Sequence, residues 1–188
     1  MKTIRLLALL LFVSSALVFA QTPAPPPPPL IFSKPDPSEV FEYTAEDNSF
    51  KATFPGKPSL SDQVLDKAFI RRYRVYRKGS NSIIGVTTFK TKVSEKYSKI
   101  FSAIRESLAK LPKTSIVVDK DIKFGGKTAH EFEILSDFQY RRIRIFVIGS
   151  QIFEIQSDVT NWHIIGDKIK MAWREESDRF FNSLMIAK

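Results

Sequence analysis

Between residues 115 and 159 apolar and polar residues alternate with a period of two, in four segments separated by pairs of turn-forming residues. The segments are SIVVDKDIKF, KTAHEFEIL, FQYRRIRIFVI and QIFEIQSDV, and the breaks between them are Gly125-Gly126, Ser136-Asp137 and Gly149-Ser150. So short a connection permits only a hairpin, because a parallel crossover needs about a dozen residues or more. The pattern predicts an antiparallel four-stranded meander, and the rest of the chain has to be arranged around it.

Upstream, residues 40–44 and 50–54 read as two short strands on either side of the turn triplet Glu46-Asp47-Asn48. Pro55, Gly56 and Pro58 then stop the second strand, since proline donates nothing to a ladder. Residues 68–92 predict a hairpin, with Lys78-Gly79-Ser80-Asn81 joining two β-forming segments. Ser94 can cap a following helix in which Tyr97, Ile100, Phe101, Ile104, Leu108 and Leu111 form one apolar stripe, and Pro112 ends it. Lys99, Arg105, Glu106 and Lys110 occupy its opposite, solvent-facing side. At the C-terminus Ile165, Ile169 and Trp173, then Phe180 and Leu184 after a restart at Ser177, predict a last helical segment. The fold class expected is α+β, an antiparallel sheet covered by at least two helices.

The first twenty residues carry Lys2 and Arg5 ahead of an uncharged apolar stretch, residues 6–19, with Val18 and Ala20 as small residues at its end. This predicts a signal peptide, residues 1–20, because the stretch falls short of the roughly 20 apolar residues a spanning helix needs. No cysteine follows to accept a lipid, and none occurs anywhere, so disulfides and thiolate chemistry are excluded. Residues 21–39 hold most of the prolines, including five in a row, and predict a semi-rigid polyproline spacer. A single domain is expected over residues 40–188. At about 150 residues it can bury nearly 70% of its unfolded surface without bridges. The expected location is extracytoplasmic, periplasmic or secreted, with no transmembrane segment left once the signal is removed.

A strand ending in FPGKP, a long hairpin, an amphipathic helix, a Gly-Gly turn leading to HEFEI, the strand pair RRIRIFVIGSQIFEI and a closing RFFNSLMI follow one another in this order. That succession resembles the PsbP-like family of exported bacterial and photosynthetic proteins over roughly 145 residues, nearly all of the chain after the proline spacer. The resemblance implies an αβα sandwich around an antiparallel sheet. It implies little about chemistry. The best-known member is an extrinsic subunit that helps photosystem II retain calcium and chloride, and a related fold binds the Ran GTPase. Neither role rests on a catalytic motif that maps onto this chain, so no binding residue is carried over.

Several motifs are tempting. FPGKPS fails as a phosphate loop, because Pro58 separates Lys57 from Ser59 and no second glycine stands upstream. In HEFE, a strand points His130 to one face and Glu131 and Glu133 to the other. If Gly125-Gly126 is a two-residue turn, Asp121 lies opposite His130. That pair supplies two ligands where zinc takes three or four, so a cross-strand polar pair is expected and no metal or cofactor. Neither His130 nor His163 sits near a nucleophile elbow, and IGSQI around Ser150 reads as a hairpin turn. An enzyme is not expected.

Charge is more informative. With Lys2 and Arg5 gone, 29 basic side chains become 27 against 20 acidic ones. Seven of the eleven arginines fall in two strands: Arg71, Arg72, Arg74 and Arg77 in one, Arg141, Arg142 and Arg144 in the other. Alternation puts Arg72 and Arg74 on one side with Ile70 and Tyr76, and Arg142 and Arg144 on one side with Tyr140 and Phe146. If the two strands come together, Arg72, Arg74, Arg142, Arg144 and Tyr140 make a guanidinium and aromatic surface suited to carboxylates or phosphates. The competing expectation is that the arginines pair with Glu131, Glu133 and Glu154 and only blunt a sheet. The expected function is a non-enzymatic exported binding or assembly module for an acidic protein, an acidic polysaccharide or a lipid headgroup. Export argues against nucleic acid. The alternative is a small-molecule or ion-binding domain with a pocket between sheet and helix.

Overall fold

The computed structural model describes residues 39–77, 79–93 and 97–187. The expected signal peptide, all but the last residue of the spacer, the Ser94 cap and Lys78 of the hairpin turn lie outside these residues.

The meander forms as its pattern requires. Strands β1 (Phe41–Thr44), β2 (Phe50–Phe54), β3 (Ser59–Val64), β4 (Ala68–Arg77) and β5 (Ser80–Phe89) lead to helix α1 (Tyr97–Ala109). Strands β6 (Thr114–Phe124), β7 (Lys127–Ser136), β8 (Gln139–Ile148) and β9 (Gln151–Thr160), helix α2 (Asp167–Ser183) and β10 (Met185–Ile186) follow. Gly125 and Gly126, at φ 54° and 76°, make the β6–β7 turn with two consecutive left-handed residues, a conformation that favours glycine at both positions.

Seven strands form one antiparallel sheet in the order β3-β4-β5-β9-β8-β7-β6, and β1-β2-β10 form a smaller one. Helix α1 carries the chain from β5 to the far edge, and the meander then returns inward until β9 pairs with β5. The central pair is apolar enough to be covered on both sides, with Ile84, Ile152, Phe153 and Ile155 all essentially inaccessible. Ile100, Phe101, Ile104 and Leu108 of α1 pack on Phe132, Ile134, Ile143, Ile145, Val147 and Ile152. Alternate residues of the sheet, among them Tyr73, Ile84, Val86, Phe146 and Ile155, pack with Phe50 and Phe54 of the small sheet and Phe180 and Phe181 of α2. Each such buried aromatic contributes roughly 1.5–3 kcal/mol by leaving water.

Three local expectations change. Ser59–Val64 forms a strand, β3, that its sequence SLSDQV does not announce, because all six residues are exposed and no apolar alternation exists. It is held by pairing with β4 and by Arg71, whose Nε and Nη2 donate to the two oxygens of Asp62 at 2.8 and 2.7 Å. Helix α2 runs without a restart, because Ser177 is buried on its inner face between Trp173 and Phe180. Met185–Ile186 adds a short strand to β2.

Candidate functional site

The five arginine and tyrosine residues expected to share a surface do not meet. Strands β5 and β9 separate β4 from β8, a span of roughly 14 Å at sheet spacing. The faces differ as well. Arg72 pairs with Gly85, Gly85 with Glu154 and Glu154 with Ile145, which puts Arg72 on the face that α1 covers further along. Arg142 lies in register with Ser157, Ser82 and Val75, on the face of α2. The period of two thus sorts the arginines correctly within each strand, while the inserted strands and their register prevent a joint surface.

Tyr140, Arg142 and Arg144 belong to a buried ionic network. Arg142 and Arg144 are 7% and 8% exposed, and Glu131 and Glu133 on the neighbouring β7 are 4% and 8% exposed. Arg144 donates from Nη2 and Nε to Glu131 Oε2 at 2.7 and 3.2 Å. Arg142 donates from Nη1 to Asp178 Oδ1 at 2.6 Å and to Ser177 Oγ at 3.3 Å, both on α2. Its Nε lies 3.2 Å from Glu133 Oε1, close enough for charge pairing but without hydrogen-bond alignment. The Tyr140 hydroxyl donates to Glu133 Oε2 and accepts from Arg174 Nη2 at 3.0 Å. Burial, followed by that bond to Glu133, pushes the Tyr140 phenol up to about 12. Both guanidinium groups also lie about 5 Å from the Phe181 ring, at 5.1 and 5.0 Å. These residues fasten α2 to the sheet and offer no surface to a partner.

Arg72 and Arg74 stand in different company. On their face β9 presents Glu154, Gln156 and Asp158 at alternate positions, β5 presents Asn81, and β8 presents Arg141. Asp158 is 1% exposed and accepts from Asn81 Nδ2 at 3.0 Å and Gln156 Nε2 at 2.8 Å. Glu154 lies over Gly85, where a Cβ would come within 3.9 Å of its Oε2. Burial pushes its carboxyl up to about 7, against the pull of Arg72 and Arg141, although the residue keeps some solvent contact. Burial likewise holds the Arg72 guanidinium below its usual range; Glu154 partly offsets this and the like charge of Arg74 adds to it. The Arg74 Nε is buried without a hydrogen-bond partner. Ile70 and Ile83, buried on this same face, lie outside the α1 core, so the stripe occupies a part of the sheet that α1 packing does not define. This half-buried, mixed-charge stripe is the candidate site. Its acidic and amide members went unrecognised in the sequence as a site, although QIFEIQSDV carries the signal: Glu, Gln and Asp at every second position of an otherwise apolar strand.

His130 meets Asp121 as the Gly-Gly turn predicts, Nδ1 to Oδ1 at 2.7 Å. Asp119 joins from two residues away, 2.7 Å from Nε2, and is itself held by Arg105 of α1. Phe101 and Phe132 pack against the imidazole, with centroids 4.7 and 4.4 Å away. Both ring nitrogens are occupied by carboxylates, and among the described residues no group of three metal-binding side chains is assembled. His163 is exposed and bonds the Ser136 carbonyl at 3.1 Å. In FPGKPS, Pro55 and Pro58 are buried and Lys57 is exposed.

No protein-family model matches the chain, and no curated protein matches it. Among solved structures the chain is similar to the solution structure of cyanobacterial PsbP from Synechocystis sp. PCC 6803. That comparison has a TM-score of 0.51 at 7% identity, covering 89% of this chain and 99% of that one. It is also similar to the crystal structure of LpqN, involved in cell envelope biogenesis of Mycobacterium tuberculosis, with a TM-score of 0.43 at 11% identity, covering 79% and 91% of the two chains. The first likeness shows the fold, which is PsbP-like.

Proposed function

From this PsbP-like fold we propose that the protein is an exported, non-catalytic binding module of αβα sandwich form that takes an anionic group on the Arg72 and Arg74 face of its sheet. The observation that carries the reading is the closeness of these two like-charged guanidinium groups in a half-buried setting, with Arg72 beside a carboxyl pushed up to about 7. Like charges held together out of bulk water are relieved by an anion, and guanidinium forks match carboxylate, sulfate and phosphate oxygens in pairs. Glu154 offsets the charge of Arg72 only when ionised. Affinity for an anion therefore rises as pH falls through about 7. An acidic polysaccharide is the preferred partner class, since a half-buried stripe on a strand face admits an extended chain better than a folded protein.

The test is titration with heparin as a model polyanion at low and high salt. Binding that weakens with salt and is lost in Arg72→Gln/Arg74→Gln, with thermal stability retained, supports the reading. Unchanged binding in that double variant overturns it. The buried Glu154, Gln156 and Asp158 stripe also favours a second reading, a small polar ligand, which a thermal-shift screen of metabolites would register as a rise in Tm.

A further inference from the structure

We propose that β3 is the pairing edge of a symmetric dimer, in which a second copy of the chain adds its own β3 antiparallel and joins the two seven-stranded sheets into one. Among the described residues the large sheet ends on β3 and β6. All six residues of β3 are exposed, including Leu60 at 42% and Val64 at 81%. A free edge carries unpaired backbone groups, and edges that stay single are blunted by Pro, Lys or a bulge. Strand β6 has that protection: its register slips between Ile116 and Val118, and Lys120 and Lys123 lie along it. Strand β3 contains no lysine and no proline, and its register against β4 is unbroken.

The backbone says which occupant fits. The Leu65 N–H donates to the Ala68 carbonyl at 2.8 Å, so the β3–β4 hairpin closes on a hydrogen-bonded pair. Bonded and non-bonded pairs alternate along an antiparallel ladder, so Gln63, Ser61 and Ser59 bond to β4. Leu60, Asp62 and Val64 therefore turn their N–H and C=O groups outward. A second β3 with its Asp62 opposite this Asp62 sets Leu60 against Val64 and Val64 against Leu60, and every outward group of both strands is then bonded. Sliding by two residues one way puts Val64 against Pro58, which has no N–H, and the other way puts Leu60 against Asp66 in the turn. Leu60, Asp62 and Val64 also share one side of the strand, so the exposed apolar side chains meet as two Leu60–Val64 pairs. Each Asp62 at the axis is already held through both oxygens by its own Arg71. This symmetry about Asp62 makes a second copy the matching partner, and an isologous pair closes at the dimer. The two-fold axis crosses the sheet at right angles, so the Arg72 and Arg74 faces of both copies look the same way. The dimer does not rest on the anion reading, and the two proposals succeed or fail independently.

The test uses protein purified from the exported fraction, with no polyanion present. Sedimentation equilibrium over a dilution series should show a monomer converting to a species of twice its mass. Leu60→Lys with Val64→Lys places like charges opposite one another along the seam and should raise the dimer dissociation constant roughly tenfold or more, with the circular-dichroism spectrum unchanged. The register is read with cysteine, of which the chain has none of its own. Residues opposite each other in a hydrogen-bonded pair have Cα atoms about 5.5 Å apart, within reach of a disulfide, so Asp62→Cys should cross-link to its own copy on mild oxidation. Leu60→Cys, displaced from its counterpart by roughly 14 Å along the strand, should not. A monomer at every concentration, undiminished association of the double variant, cross-linking of Leu60→Cys in preference to Asp62→Cys, or growth beyond a dimer each overturns the proposal.

Discussion

Arg144 and Glu131 face each other across β8 and β7 with Nη2 2.7 Å from Oε2, their side chains only 10% and 6% exposed. The pair is sealed by α2, with Phe181 against the guanidinium. A charge so placed is tolerable only while its partner is present. Arg144→Met should therefore cost up to about 3–5 kcal/mol by removing the shortest partner of a buried carboxylate, which keeps only Lys120 at 3.6 Å and Arg142 at 4.0 Å, and adding Glu131→Leu should recover part of that loss. Urea denaturation of the single and double variants checks the ordering; a double variant no more stable than Arg144→Met would contradict it.

Glu154 gives the protein a pH dependence of known sign. Its carboxyl is raised from 4.5 to about 7 when folded, so between these values the folded state holds a proton that the unfolded state has released. Its contribution is complete below about pH 4.5 and is lost as pH rises to about 7. Glu154→Gln should remove this slope, gaining about 1–3 kcal/mol on wild type between about pH 5 and pH 8. Parallel stability–pH curves for the two proteins would refute the assignment.

His130 joins three elements, since it sits on β7, bonds two β6 carboxylates and packs under Phe101 of α1. His130→Ala should cost about 2–3 kcal/mol and speed amide exchange in α1. Asp121 is 72% exposed, so Asp121→Asn should cost less than about 0.5 kcal/mol. Asp119, by contrast, is held below the ordinary carboxylate value first by its bond to Arg105 and then by His130. Its contribution is present above about pH 4 and fades on acidification below that, a loss that Arg105→Ala should reduce in acid titrations, the bond to His130 keeping the remainder.

Gly56 has φ 153°, and a Cβ there would approach Val75 Cγ1 to 3.1 Å. Gly56→Ala should cost about 1–2 kcal/mol, while Lys57→Ala at the exposed corner should stay within about 0.5 kcal/mol. Thermal melts separate the two effects. The motif that most resembles a ligand loop is thus expected to matter through its glycine backbone, and not through its lysine.

The meander, the long hairpin and α1 were legible because their signals are local: alternation, two-residue turns, and a stripe ended by Pro112. Strand β3 was not, since SLSDQV is exposed on both faces and owes its shape to β4 beside it. The candidate site was legible only in fragments. Arg72 and Arg74 stood out by composition, whereas Glu154, Gln156 and Asp158 acquire meaning from lying two strands away on the same face.

The sequence by itself therefore determined which residues of each strand share a side, because a strand's period of two is a property of a few consecutive residues. Only the tertiary structure decided that β9 would insert beside β5, that Arg142 and Arg144 would be buried under α2, and that Arg72 and Arg74 would remain half-buried beside Glu154. Those outcomes depend on burial shared among segments up to a hundred residues apart, as in the Arg77–Glu176 ion pair, |i−j| 99, and no local pattern encodes it.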